Sequence, residues 1–324
     1  MSSIAGNGPQ LTQQDVPLSF VGGQIDAKRE VNGLSLAIVI MAAGKGTRLK
    51  SRRAKVLHEI GGRPLLAHVV AAAAKIVAPA HIYVVVGHQA ERVEGALAAT
   101  GIQFVLQAEQ LGTGHAIQCA REAIAGYGNV LVLSGDVPLI RPETIELIWG
   151  FHQREGAAMT LLSAIPENPF GYGRVIRTEP GSASVAAIVE QKSLAPGQET
   201  VTEINTGIYA FKTAPLLAHL DELSTGNSAG EYYLTDLAGI LAAAGERVAA
   251  VEAPDAGEVL GANTIPELVE LDAALRAKTA LRLMLNGVTI FKPESCVIDS
   301  DVEVGPDTVI EPNVQLLGDR KSVV

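Results

Sequence analysis

A continuous apolar run, LAIVIMAAG at residues 36–44, ends in small residues and opens a repeating series of helical and strand-like segments that leaves few folds open. A run without polar alternation suits a strand buried on both faces, as a parallel sheet requires. PLLAHVVAAAAKI, with Pro64 in its first turn, reads as a helix and HIYVVVGH as a strand. ERVEGALAAT and TGHAIQCAREAIA read as further helices, separated by the strand IQFVLQ and followed by the strand NVLVLSGD. Strands alternating with helices of about 10–15 residues imply right-handed crossovers and an α/β, Rossmann-like doubly wound sheet.

After Pro142 the texture changes. AAMTLLSAI, GRVIRT, SVAAIVEQ and NTGIYAF are strand-like with short links, which predicts antiparallel additions to a mixed sheet and a second wall of a cleft. PELVELDAALRAKTALRLMLNG, residues 266–287, predicts a long connector helix with Leu268, Leu271, Leu275 and Leu285 near helical spacing. Beyond it Ile298, Val304, Ile310 and Leu316 recur every six residues, the period of a parallel β-helix. About one coil is expected before the closing DRKSVV breaks the period. The expected organisation is a disordered polar leader over 1–35, an α/β domain over 36–264, a connector helix over 265–287 and the beginning of a hexapeptide-repeat β-helix over 288–324.

The formal charge of −10 on 324 residues argues against a general nucleic-acid or anionic-membrane surface, so an anionic ligand needs a local basic cluster. Such a cluster follows the first strand: Lys45, Arg48, Lys50, Arg52, Arg53 and Lys55 lie within eleven positions. Neither familiar phosphate loop fits it. A Walker A loop would need glycine where Val39 stands, and the dinucleotide fingerprint would need glycine in place of Leu49. What remains is a strand and then AAGKGTR, whose small residues let backbone N–H groups approach a ligand. A solvated basic turn is the plainer alternative. The two cysteines, Cys119 and Cys296, form no C-x-x-C pattern, no apolar run reaches membrane-span length, and a cytoplasmic protein is expected.

The segments AAGKGTRLKS, KVLHEIGGRPLLAHV, LQAEQLGTGHA, SGDVPLI, GYGRVIR, IVEQK, EINTGIYAF and GEYYLTDL occur here in the order found in bacterial N-acetylglucosamine-1-phosphate uridylyltransferases, which the chain resembles over roughly residues 36–318. AAGKGTR marks sugar nucleotidyltransferases in general, whereas LQAEQLGTGHA with EINTGIY and GEYYLTD is more specific. The resemblance implies a nucleotide-diphospho-sugar transferase fold and uridylyl transfer from UTP to N-acetyl-α-D-glucosamine 1-phosphate, giving UDP-N-acetylglucosamine and pyrophosphate. It also implies a chain that stops near the start of the left-handed β-helix on which the family carries acetyltransferase activity and forms homotrimers, so acetyl transfer and a stable trimer are not expected of it. A pyrophosphorylase for another base or sugar is the near alternative, and a non-catalytic nucleotide-sugar-binding module the distant one.

The family's residues fall on definite positions. Met41, Ala42, Ala43 and Gly44 are implied to contact the nucleotide, and Arg48 and Lys55 to stabilise the triphosphate as catalytic cations. Gln107, Gly112 and Thr113 are implied to read the uracil edge. Ser134, Gly135 and Asp136 are implied to line the site, and Asp136 with Asn263 to hold Mg²⁺. Gly173, Glu190 and Asn205 are implied to face the sugar. Local sequence leaves other readings open: a turn for Asp136, a helix cap for Asn263, a strand end for Gln107, a helix start for Gly112 and Thr113, and an exposed ion pair of Glu190 with Lys192 or Arg174. Some relatives carry tyrosine at position 134, so only a backbone contact is expected of Ser134. His58, His68, His88 and His115 show no metal-ligand spacing and read as structural or loop residues.

Overall fold

The computed structural model describes residues 35–227 and 229–318, so the expected leader, apart from Ser35, and the closing DRKSVV lie outside the described residues. β1 (Leu36–Met41) is the centre of the sheet. A small hairpin, β2 (Glu59–Ile60) with β3 (Arg63–Pro64), precedes α1 (Leu65–Ala73), and then come β4 (Ile82–Val86), α2 (Ala90–Leu97), β5 (Gln103–Leu106), α3 (Thr113–Ile124) and β6 (Asn129–Ser134). β1 pairs in parallel with β4 on one side and β6 on the other, and β4 pairs in parallel with β5. The chain therefore winds outward from β1 in one direction and returns to wind in the other. Between β1 and β6 lies the switch point, outside whose carboxyl ends such sheets bind ligands.

The apolar run of β1 is explained by its two covered faces. Ile38 and Ile40 pack with Leu66, Val69 and Val70 of α1 and Val93 of α2, while Ala37 and Val39 pack with Ile117, Ala120 and Ile124 of α3. Successive strand side chains point to opposite faces, so a strand between two helical layers can tolerate no polar position.

The second half adds α4 (Pro142–Glu155), β7 (Met159–Ala164), β8 (Arg174–Arg177), β9 (Val185–Val189), β10 (Ile204–Lys212), α5 (Thr213–His219), α6 (Leu237–Ala243) and β11 (Val248–Glu252). The main sheet runs β11-β7-β10-β6-β1-β4-β5, with β8 and β9 branching from β10. β10 is antiparallel to both β6 and β7, as the strand-like texture implied. β11, which the sequence reading did not single out, pairs parallel to β7. Its sequence VAAVE is short and ends in a charge, so no pattern announced it. The helices α4, α5 and α6 also escape the sequence reading; α4 begins at the very Pro142 that marked the change of texture, with proline in its first turn.

α7 (Ile265–Leu285) is a 21-residue helix opened by a capping box, in which the Thr264 side chain accepts from the Glu267 N–H and the Glu267 carboxylate accepts from the Thr264 N–H. Its first half sets Leu268, Leu271 and Leu275 against Ile60, Leu65 and Leu139. Leu285 does not continue that face and is 79% exposed; Ala280 and Leu283 instead meet Val288, Ile290, Ile298 and Ile310. Four two-residue strands follow: β12 (Thr289–Ile290), β13 (Val297–Ile298), β14 (Val309–Ile310) and β15 (Gln315–Leu316). β12 pairs in parallel with β14, and β13 with β15 in a register that sets Ile298 opposite Leu316, three hexapeptides further on. Among the described residues no helix is long and apolar enough to cross a membrane.

Candidate active site

The loops after β1 and β6 meet at the switch point. The Ala42 N–H donates to the Val85 carbonyl (2.9 Å) and the Gly135 N–H to the Met41 carbonyl (3.0 Å), which fixes Met41–Gly44 beside Ser134–Asp136. Gly46 then takes a left-handed conformation, φ +62°, and a Cβ there would lie 2.6 Å from the Lys55 Cβ. Glycine at 46 thus serves two needs, the turn and the close passage of Lys55.

Four sequence-expected residues converge. The Lys55 ammonium forms an ion pair with Asp136 and donates to the Asn263 side-chain oxygen (2.8 Å); Arg48 donates to the same oxygen (2.6 Å). Lys55 and Asp136 are largely buried, so their charges interact in a medium of reduced dielectric. Burial alone would raise the Asp136 carboxyl; the Lys55 charge and hydrogen bond, with the Ser134 hydroxyl, outweigh it and hold the group below the usual carboxylate range. The Ser134 hydroxyl, for which a backbone contact to the ligand was the expectation, is turned to its own loop and donates to Asp136 (2.6 Å). Serine is short enough to turn back on the residue two positions on, as a tyrosine could not.

Asn263 is held from behind. Its N–H donates to the Glu267 carboxylate (2.7 Å), so the carboxylate that closes the capping box of α7 also fixes the residue before the cap. Helix cap and site residue are adjacent positions here, Thr264 and Asn263, and not one residue in two roles. The neighbouring Ala262 N–H donates to the Asp136 carbonyl (3.1 Å), tying this segment to β6.

Gln107 stands at the end of β5, buried, with its amide nitrogen donating to the Gly112 carbonyl (3.0 Å) and facing the His115 Nδ1 (3.1 Å). Thr113 begins α3, and its hydroxyl accepts from the Leu234 N–H (3.0 Å). Gly87 lies between Ala43 and Gln107: a Cβ on it would fall 2.9 Å from the Ala43 Cβ and 3.0 Å from the Gln107 carbonyl. The loops after β1, β4 and β5 therefore form one continuous wall.

On the other wall, Gly173 and Glu190 adjoin, since a Cβ on Gly173 would lie 3.5 Å from the Glu190 carboxylate. Glu190 accepts from the Thr235 hydroxyl (3.3 Å) and pairs with neither Lys192 nor Arg174; Arg174 instead donates to the Tyr172 carbonyl and to Gln191. Burial pushes the Glu190 carboxyl up, and the Asp236 carboxylate adds to the shift. Asn205 donates from its side chain to the Tyr209 hydroxyl (2.8 Å) and from its backbone to the Gly173 carbonyl (2.8 Å), at an irregularity where β10 shifts register against β7.

Several residues of this constellation were not singled out from sequence. Glu267 could have been, because T-x-x-E before an apolar helix signals a capping box. Tyr172 sits in GYG; burial, then the Glu267 and Asp136 carboxylates, push its hydroxyl up. Thr235 and Tyr209 carry no local signal and are recognised only through their partners.

A family model described as a MobA-like NTP transferase domain matches residues 38–201. Curated relatives named bifunctional protein GlmU are 60% identical over 88% of this chain in Koribacter versatilis and 46% identical over 90% in Solibacter usitatus. The chain spans about three fifths of their length, 61% and 62%. Among solved structures, CMP:2-keto-3-deoxy-manno-octonic acid synthetase complexed with CTP aligns with a TM-score of 0.58 at 21% identity, over 75% of this chain and 99% of that one. UDP-glucose pyrophosphorylase complexed with UDP-glucose aligns with a TM-score of 0.58 at 20% identity, over 75% and 98%. The structural likeness is one of fold, an α/β nucleotidyltransferase sheet. With the family model covering just over half of its length, the chain belongs to the MobA-like NTP transferase domain family.

Proposed function

We propose that the chain transfers a uridylyl group from UTP to N-acetyl-α-D-glucosamine 1-phosphate, releasing pyrophosphate and forming UDP-N-acetylglucosamine. The observation that carries the reading is the meeting of Arg48, Lys55, Asp136 and Asn263 at the switch point of the sheet. A module that only bound a nucleotide sugar would have no need of a carboxylate and an amide oxygen converging on one cation. The identity to the curated relatives supports the same activity.

In this reaction a phosphate oxygen of the sugar phosphate forms a bond to the α-phosphorus of UTP, and the bond from that phosphorus to the bridging oxygen breaks, with pyrophosphate leaving. Both reactants are anions, so the protein's work is to hold them in line and to offset charge. The backbone of Met41–Gly44 receives the triphosphate, and Arg48 and Lys55 stabilise the charge that grows on the departing pyrophosphate. Gln107, Gly112 and Thr113 hold the uracil; Gly173, Glu190 and Asn205 hold the sugar hydroxyls and the N-acetyl group.

Asp136 and Asn263 suit Mg²⁺, which takes oxygen donors and is commonly held by one or two protein groups together with substrate phosphates. Their two oxygens already share one cation, the Lys55 ammonium. Bound there, Mg²⁺ supplies charge stabilisation to the phosphates. Mg²⁺ as cofactor and a cytoplasmic setting belong to the same proposal.

The test is pyrophosphate release from UTP with Mg²⁺ and N-acetylglucosamine 1-phosphate, glucose 1-phosphate or glucosamine 1-phosphate. Release should be fastest with the first, and Asp136→Ala should lower it at least ~100-fold. Equal rates with glucose 1-phosphate would sink the sugar assignment, and an undiminished mutant the metal assignment.

A further inference from the structure

The segment LQAEQLGTGHA, residues 106–116, turns back so that the side chains of Gln107 and His115 meet. The side-chain nitrogen of Gln107 lies 3.0 Å from the Gly112 carbonyl and 3.1 Å from the His115 Nδ1. A carbonyl only accepts, so the amide atom facing Gly112 must be the NH₂ group. Its second hydrogen then points to Nδ1, which must offer a lone pair. The imidazole is thereby set as the neutral tautomer with its proton on Nε2, and Nε2 faces the Cys119 Sγ one helical turn on (3.7 Å).

The ring is held in this pose. Tyr232 packs at a tilt against it (6.4 Å between ring centres), while the Tyr232 carbonyl accepts from the Gly114 N–H and the Tyr232 N–H donates to the Leu111 carbonyl (both 2.8 Å). The GEYYLTD segment thus braces the loop that carries His115. Among the described residues none donates to the remaining polar atom of Gln107, its side-chain oxygen.

We propose that His115 is a positioning residue for base recognition: by accepting from the Gln107 amide it locks the Gln107 carbonyl oxygen toward a ligand, where it accepts from the N3–H of an oxo-pyrimidine. The proposal rests on the assignment of Gln107 to the base. Uracil presents a donor at N3, whereas cytosine presents an acceptor there and meets the same oxygen with lone pair against lone pair. A glutamine free to turn over would offer either face and discriminate poorly. His115 touches no reacting atom; it removes the wrong orientation of the residue that reads the base.

Two experiments test this. Two-dimensional ¹⁵N–¹H spectra of the imidazoles in the nucleotide-free protein at neutral pH should show His115 as the Nε2–H tautomer; an Nδ1–H tautomer or an imidazolium would overturn the proposal whatever the substrate is. Steady-state kinetics with UTP and CTP then compare His115→Phe, which keeps a ring but no acceptor, with His115→Asn, whose side-chain oxygen takes the place of Nδ1. His115→Phe should raise the KM for UTP about tenfold, with kcat nearly unchanged, and narrow the UTP to CTP preference by a similar factor, while His115→Asn retains most of both. Thermal melts of both variants report whether the loop remains folded. Equal effects of the two substitutions, or an unchanged preference in His115→Phe, would overturn the proposal. Failure of the wild-type protein to use UTP would overturn the functional reading and leave the tautomer result standing.

Discussion

At the scale of single residues the site is governed by the pairing of Lys55 with Asp136. The Asp136 carboxyl is largely buried, and its ionised form is tolerated because the ammonium and the Ser134 hydroxyl face it. A carboxyl held below its unfolded value contributes stability that is present above that value and lost as pH falls through the folded one. Lys55→Ala removes the charge and leaves burial unopposed, so the variant's carboxyl should titrate higher. The gap in melting temperature between wild type and Lys55→Ala should therefore be widest near neutral pH and narrow in acid, closing only as pH falls through the depressed wild-type carboxyl and both carboxyls become protonated. Calorimetric melts at several pH values measure it, and a gap independent of pH would show that the pairing is not its source. On the proposed function the same variant should lose ~100-fold or more in kcat, since it lacks the charge assigned to the leaving pyrophosphate. These residues were legible in sequence because cations and a lone carboxylate stand at the ends of apolar strands. Thr235 and Tyr209 were not: a threonine and a tyrosine acquire meaning only from Glu190 and Asn205, which lie 45 and 4 positions away in the chain.

At the scale of elements, strand ends and helix starts carry the chemistry. β1, β4, β5 and β6 each end in a loop that supplies one part of the wall to which the proposed function assigns the nucleotide, and Asn263 comes from just before the N-terminus of α7. The capping box is therefore coupled to the site, because the Glu267 carboxylate accepts from both the Thr264 and the Asn263 N–H groups. Thr264→Ala should cost about 1 kcal/mol, the usual worth of an N-cap, with little effect on activity. Glu267→Ala should also raise the Mg²⁺ concentration for half-maximal activity by ~10–100-fold, as removal of a group that orients a metal ligand does. Mg²⁺ titrations of pyrophosphate release separate the two, and identical Mg²⁺ curves would show that Glu267 acts on the helix alone. The alternation of strand and helix through β6 was readable because β1, β4 and β6 are buried on both faces and the more exposed edge strand β5 still keeps a short apolar run. Beyond it the pattern fails for physical reasons. α5 and α6 are seven-residue helices whose LL and AA pairs show no sustained period, and β11 is an edge strand bounded by charge.

At the scale of the whole molecule, the main sheet's side of the chain and the C-terminal strands meet in a dense contact around the hairpin turn at Gly61 and Gly62. The Gly61 N–H donates to Asp272 of α7 (2.7 Å), and the Gly61 carbonyl accepts from the Ser300 N–H (2.9 Å) and hydroxyl (3.1 Å). Arg276 on α7 bonds both Asp272 (2.8 Å) and Asp299 (3.1 Å), and Asp299 also accepts from the Gly318 N–H (3.0 Å). Asp299 is 1% exposed, so its carboxylate is sealed at this junction between Arg276 of α7 and the Gly318 N–H. Gly62 is the gate to it. Its φ is +83°, and a Cβ would lie 2.4 Å from both the Asp299 Cγ and one carboxylate oxygen. Gly62→Ala pays twice, ~1–2 kcal/mol for a Cβ in left-handed backbone and more for the overlap, and the rigid hairpin leaves Asp299 as the group that must move. Displacing Asp299 strains its bonds to Arg276 and Gly318 together, so the strands beyond Asn286 should loosen while Met41–Gly46, Lys55 and Asp136, packed on the sheet, stay in place. Limited proteolysis should then cut near Asn286 and Gly287 several-fold faster than in wild type, with UTP affinity within about twofold of normal. Unchanged cleavage would mean that α7 packing alone holds the C-terminal strands, and loss of UTP affinity in step with cleavage would mean that the junction supports the site through Asn263 at the other end of the same helix.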